Sequence, residues 1–130
     1  MSPQFEEARR FLRMALADFN AFIILADHHA MPAIALFHAQ QATEKSLKAV
    51  LCLHSIEFRR THDLELLSSL LVPFTECPVP SVDFRLLTPY AVEFRYDDES
   101  ASLLSVTQAR GIAESTLAWA RRQVMDASGT

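Results

Sequence analysis

The stretch Phe37-His38-Ala39-Gln40-Gln41-Ala42-Thr43-Glu44-Lys45-Ser46-Leu47-Lys48-Ala49-Val50-Leu51 decides the fold. It holds neither proline nor glycine, and its residue types recur at three and four positions, the period of an α-helix. Pro32 is placed to open this helix, which is predicted to run from Pro32 to about His54, roughly 34 Å at 1.5 Å per residue. A helical wheel divides it into three faces. Ala35, Ala39, Ala42, Ser46 and Ala49 form a small-residue face that lets another helix approach closely. Leu36, Leu47, Val50 and Leu51 form a bulky core face. His38, Gln41, Glu44, Lys45 and Lys48 form a polar face.

Working outward from this helix, the same period recurs. Toward the N-terminus, Phe5, Ala8, Leu12, Ala15, Leu16, Phe19, Phe22, Ile23 and Ala26 predict a first helix from Pro3 to His28, with Ser2 as its cap. Phe11, Met14, Ile24 and Leu25 lie off that stripe and give this helix more apolar surface than one core face needs. Toward the C-terminus, Phe58-Arg59-Arg60-Thr61 is a connector. A third helix is predicted from His62 or Asp63 to about Val72. Pro73 to Pro80 carries three prolines in eight residues and must be a loop. A fourth helix is predicted from Ser81 to Tyr96, kinked or restarted at Pro89. Asp97-Asp98-Glu99-Ser100 reads as an acidic turn. Ser105-Val106-Thr107-Gln108 reads as a capping box opening a fifth helix to about Met125, with Gly111 inside it at a cost of about 1 kcal/mol against alanine. No segment alternates with period two for long. The expected fold is all-α, an antiparallel bundle of five helices, one domain over residues 1–130.

Composition bounds the function. Half of the 130 residues are hydrophobic, enough for a core without disulfide or metal staples. A net charge of −4 excludes a globally basic nucleic-acid binder, while leaving room for a local basic patch. Cys52 and Cys77 form no C-x-x-C site and read as free thiols. Met1 to Glu7 lacks a basic segment before an apolar run, so no signal peptide is expected. No apolar run is long enough to span a membrane, and a cytoplasmic location is expected. The five histidines have no metal-site spacing: His28 and His29 are adjacent, and Cys52 and His54 do not share a helical face. Gly-x-Gly-x-x-Gly, P-loop and Gly-x-Ser-x-Gly motifs are absent from the sequence. No cofactor is expected.

Three clusters carry potential chemistry. Gln41, Glu44 and Lys48 share one side of the second helix, with Lys45 beside them; the ordinary reading is a solvated face with a Glu44–Lys48 pair. Arg59-Arg60-Thr61-His62-Asp63 places two cations and a titratable ring at a helix start, where free N–H groups attract anions. Its ordinary reading is that Asp63 caps the helix and His62 packs against it. Tyr90, Arg95 and Tyr96 could clasp a base and its phosphate, or Arg95 could simply offset the C-terminal helix dipole.

In this order the clusters resemble the HEPN domain family (higher eukaryotes and prokaryotes nucleotide-binding). Phe37 to Leu51 is similar to its signature helix, Thr61-His62-Asp63-Leu64 to its Thr-His-Asp-Leu step, and Leu87 to Tyr96 to its Arg-Tyr motif. The resemblance spans nearly the whole chain. It implies an antiparallel helical bundle, usually a homodimer. It also implies a frequent pairing in prokaryotes with a minimal nucleotidyltransferase, in some cases as toxin and antitoxin. Several branches of the family are metal-independent ribonucleases carrying an Arg followed, after four to six residues, by a His. Here the residues five to seven before His62 are Glu57, Ile56 and Ser55, and no other histidine has an arginine at that distance. Asp97 stands where the family usually has Pro.

The leading expectation is therefore a binding module for a nucleotide, RNA or another substrate, partnered by a minimal nucleotidyltransferase. Gln41, Glu44, Lys48, His62, Asp63, Arg95 and Tyr96 would converge on one site. Lys48 and Arg95 would neutralise phosphate, Gln41 and His62 would hydrogen-bond, and Tyr96 would stack. The alternatives are a divergent endoribonuclease, with His62 as general base and Arg59 or Arg60 stabilising the transition state, and a purely structural dimer. A homodimer is expected through the off-stripe apolar residues of the first helix.

Overall fold

The structure, a computed structural model, describes residues 2–28, 31–92 and 104–129. Among them are five α-helices and no strand: α1 Pro3–Asp27, α2 Pro32–Leu53, α3 Leu64–Ser69, α4 Ser81–Leu87 and α5 Val106–Ser128, with a 3₁₀ turn Thr88–Ala91 following α4. The all-α bundle expected from the periodicity is what the chain forms.

Local signals place the helix ends. The Ser2 hydroxyl accepts from the Phe5 N–H at 3.1 Å, and Pro3 follows in the first turn, where a missing N–H costs nothing. Ser105 and Gln108 close a reciprocal capping box: each side chain accepts from the other's backbone N–H, at 3.0 and 3.1 Å. The end of α2 carries a motif not foreseen. Ser55 takes φ of 57°, its N–H donates to the Cys52 carbonyl, and the Ile56 N–H donates to the Leu51 carbonyl. This is a Schellman turn with serine where glycine is the usual choice. It reverses the chain so that the connector runs back toward the polar face of α2.

One expected helix is shorter than predicted, and another breaks where a proline was expected to interrupt it. α3 ends at Ser69 rather than Val72, and residues 70–74 continue as turns. Pro73 explains this, since it offers no N–H and pushes Val72 out of helical geometry. α4 ends at Leu87 and the chain tightens into the 3₁₀ turn, the break expected at Pro89; the rest of the expected helix, from Glu93 to Tyr96, lies outside the described residues. Pro89 cannot donate to the Arg85 carbonyl and its ring would collide with it. α5 runs to Ser128, beyond the predicted Met125.

α2 is the central helix. α1 packs along it, α5 lies against it and also touches α1, and α3 and the 3₁₀ turn close the remaining side. All five residues of its small face are buried, as are Leu36, Leu47, Val50 and Leu51. Close approach on the small face and bulky packing on the core face thus operate on one helix. The core continues through Phe22, Leu64, Leu67, Phe84, Leu87 and Trp119.

The off-stripe residues of α1 do not make one bare patch. Leu25 packs against the core, Phe11 lies 5.0 Å from the Arg10 guanidinium, Met14 Sδ accepts from Arg10 at 3.4 Å, and Ile24 is 60 % exposed.

Gly111 has no packing reason to be glycine. It is exposed inside α5, and an added Cβ would meet nothing within 4 Å. Gly111→Ala should therefore stabilise the fold by about 1 kcal/mol, through helix propensity and a less flexible unfolded chain. Urea unfolding measures it; an unchanged or lowered midpoint would show that this position carries a constraint other than helix propensity.

Candidate functional site

The polar face of α2 is not a solvated face. Glu44 is buried, 3 % exposed, and three side chains converge on its carboxylate. Oε1 accepts from Gln40 Nε2 at 3.2 Å and meets His62 Nδ1 at 2.9 Å, while Oε2 accepts from Lys48 Nζ at 2.8 Å. A carboxylate held this way is fixed in place, as buried charge requires. Because a carboxylate only accepts, the proton at this contact belongs to His62 Nδ1. That leaves Nε2 of a ring whose side chain is 61 % exposed for water or a ligand.

The surroundings hold the cluster in register. Fully buried Gln40 also donates to the His62 carbonyl at 3.1 Å, and Gln41 donates to Gln40 Oε1 at 2.8 Å. Lys48 Nζ lies 5.7 Å from the Phe58 ring centroid, a favourable placement of cation over ring. The site is thus a chain of contacts, Gln41–Gln40–Glu44–His62, with Lys48 neutralising Glu44 from the other side.

The remaining predicted residues divide. Asp63 takes the ordinary role: Oδ1 accepts from the Leu66 N–H at 3.1 Å, capping α3, so its carboxylate is engaged with backbone rather than with Lys48. Thr61 Oγ1 accepts from the Asp63 N–H at 3.1 Å. Arg59 and Arg60 are exposed. Arg95 and Tyr96 lie outside the described residues, as does the acidic turn Asp97 to Ser100. The third motif reaches the second through Thr88, whose Oγ1 accepts from the Leu64 N–H at 3.1 Å and donates to the Phe84 carbonyl at 2.9 Å. That bond satisfies one of the free N–H groups at the start of α3.

Residue-type reasoning missed Gln40, Phe58, Thr88 and a second ionic cluster. Asp18 of α1 receives His38 Nδ1 at 3.0 Å and Lys45 Nζ at 2.6 Å, tying α1 to the outer side of α2. Its signal was present: a carboxylate set between buried Ala15 and Phe22 must find a partner. Gln40 carried one too, at i−4 from Glu44. Between α3 and α4, Arg85 beside Glu65 holds that carboxyl below its ordinary range. Burial pushes both the Cys52 and Cys77 thiols up, which keeps them protonated and poor nucleophiles. Among the described residues no group of three or more His, Cys, Asp or Glu is gathered to hold a metal ion, and no helix is long and apolar enough to cross a membrane.

Comparison with known proteins adds three findings. The family model described as HEPN domain matches residues 8–123, a span containing all three motifs. The crystal structure of an archaeal HEPN homologue superposes with a TM-score of 0.59 at 19 % identity, covering 90 % of this chain and 97 % of that one. At that identity the likeness speaks for the fold alone. A search of curated proteins gives no significant match.

Proposed function

The chain belongs to the HEPN domain family, and from that membership we propose that residues 1–130 form a single helical binding module for a nucleotide or a related anionic substrate. In this reading it works in the cytoplasm as the partner of a minimal nucleotidyltransferase, in a two-component system of the toxin–antitoxin kind. The observation that carries the reading is the buried Glu44 hub, which presents exposed His62 in one fixed orientation. His62 and Gln41 supply hydrogen bonds to the ligand. Lys48 supplies charge by exchanging Glu44 for phosphate, and Arg95 and Tyr96 add charge and stacking. Asp63 acts indirectly, by capping the start of α3 beside His62.

Titration with ATP, followed by calorimetry, tests this. His62→Ala should weaken binding roughly tenfold or more, the loss of a hydrogen bond to a charged group. Its unfolding midpoint should stay close to that of the parent, because the ring is largely exposed. An ATP affinity that His62→Ala leaves intact would remove the ligand from this site. Co-purification with a neighbouring nucleotidyltransferase tests the partnership.

A second reading, a ribonuclease, draws on the same geometry, since a carboxylate on Nδ1 with Nε2 left open is the arrangement of a general base. The chain lacks the arginine five to seven residues before His62 that would stabilise the transition state. We therefore expect no cleavage of RNA in chelator; cleavage abolished by His62→Ala would promote the enzyme reading.

We further infer a homodimer, on family grounds and from exposed Ile24 on α1. Light scattering at micromolar concentration should give about twice the 14.6 kDa chain mass. A value at the chain mass counts against it.

A further inference from the structure

The outer faces of α1 and α5 meet in an open groove of about 580 Å³ that shares no residue with the Glu44 cluster. Phe5, Ala8 and Val124 form a small buried cluster beneath it. Its floor is aliphatic, with Leu12 half-buried, Leu16 39 % exposed and Met125 65 % exposed. Its rim is cationic: Arg9, Arg13 and Arg121 line it, and no carboxylate does.

What marks these arginines is their place around one aliphatic patch, since Arg59, Arg60, Arg110 and Arg122 also enter no ion pair among the described residues. Arg10 is paired with Glu7 and Arg85 with Glu65. Among the described residues Arg9, Arg13 and Arg121 enter no ion pair, and Arg9 rests only against the Phe5 ring at 6.0 Å. A protein of net charge −4 thus keeps three uncompensated guanidiniums around one patch of exposed aliphatic surface.

We propose that this groove docks an acidic amphipathic helix of a partner protein. Each element of the groove selects for that occupant. The floor wants an aliphatic stripe, the rim wants carboxylates on either side of it, and guanidinium–carboxylate pairs are the strong, directional kind. The α1 wall runs from Phe5 to Leu16, about 16 Å of helix, which matches three turns of a docked helix. A second copy of this chain does not fit, because a two-fold contact sets a patch against itself and here would oppose arginine to arginine. Single-stranded RNA would satisfy the cations but not the floor, which offers aliphatic groups and a buried phenylalanine instead of exposed stacking rings.

The test is selection from a display library of helical peptides of about sixteen residues against the full chain. The expected winners carry Leu, Met or Phe at i, i+3, i+4 and i+7, flanked by Asp and Glu. A synthetic winner should bind Arg13→Glu/Arg121→Glu roughly tenfold or more weakly, and Arg13→Gln/Arg121→Gln measurably more weakly. Circular dichroism confirms that these surface variants keep their helicity. Leu16→Asp should also abolish binding. No enrichment, enrichment without acidic bias, or affinity unchanged by the arginine variants overturns the proposal. Binding of a short single-stranded RNA through the same arginines, with no acidic peptide selected, overturns it as well. ATP binding at His62 is unaffected by these variants in every case, so the two sites stand or fall separately.

Discussion

Glu44→Ala should lower the stability of the folded chain by about 3 kcal/mol, the low end of what removing one partner from a buried ion pair costs. The carboxylate satisfies Lys48, His62 and Gln40 together. Without it Lys48, whose side chain is 12 % exposed, is a cation with no anion beside it. Its long stem lets the ammonium swing partly into water, which is why the low end applies. Gln40 keeps its bond to the His62 carbonyl, and His62 is exposed enough to hydrate. Glu44→Gln retains an acceptor and should lose less. Urea unfolding of the two variants decides it: a loss below about 1 kcal/mol for alanine would show that water already reaches this carboxylate.

Phe84→Ala should cost still more, about 3–5 kcal/mol. Phe84 is fully buried in the short helix α4, and six or seven residues of helix hold together in water only by what they pack against. Its carbonyl also receives Thr88, the residue that bridges to the start of α3. Losing the ring therefore leaves a cavity and loosens the frame that carries Leu64 and, next to it, Asp63. Amide exchange should show α3 and α4 losing protection before α1, α2 and α5. Uniform loss across all five helices would mean that α3 and α4 open only with the whole bundle.

Much of this architecture was legible in the residues because its signals are local. Ser2 with Pro3, Pro32, and Ser105 with Gln108 mark helix starts by chemistry contained within one turn. The small-residue face of α2 announced close packing through side-chain volume alone. The prolines at 73 and 89 announced a loop and an interruption, and the described chain has both; the run expected beyond Pro89, from Glu93 to Tyr96, lies outside the described residues. The candidate site was half legible. Glu44, Lys48 and His62 were named, and their convergence was expected. The burial of Glu44 was not, because a wheel sorts residues by polarity and assigns carboxylates to water. Only the return of the connector after Ser55 brings His62 over it, and that turn rests on a serine in a backbone conformation its type seldom adopts. Asp63 was ambiguous in principle: the same carboxylate suits a cap and a ligand, and the neighbouring N–H groups claim it.

The central position of α2 has an evolutionary consequence. Twelve of its 22 residues are buried, polar ones among them, so a substitution there must satisfy α1, α5 and the α3 region at once. Lineages descending from such a chain can drift little along this helix without losing the fold. They can drift freely on the solvent sides of α1 and α5. Relatives would then share a recognisable central helix while diverging in whatever binds outside it, so that kinship read from α2 reports ancestry and architecture far more faithfully than it reports occupation.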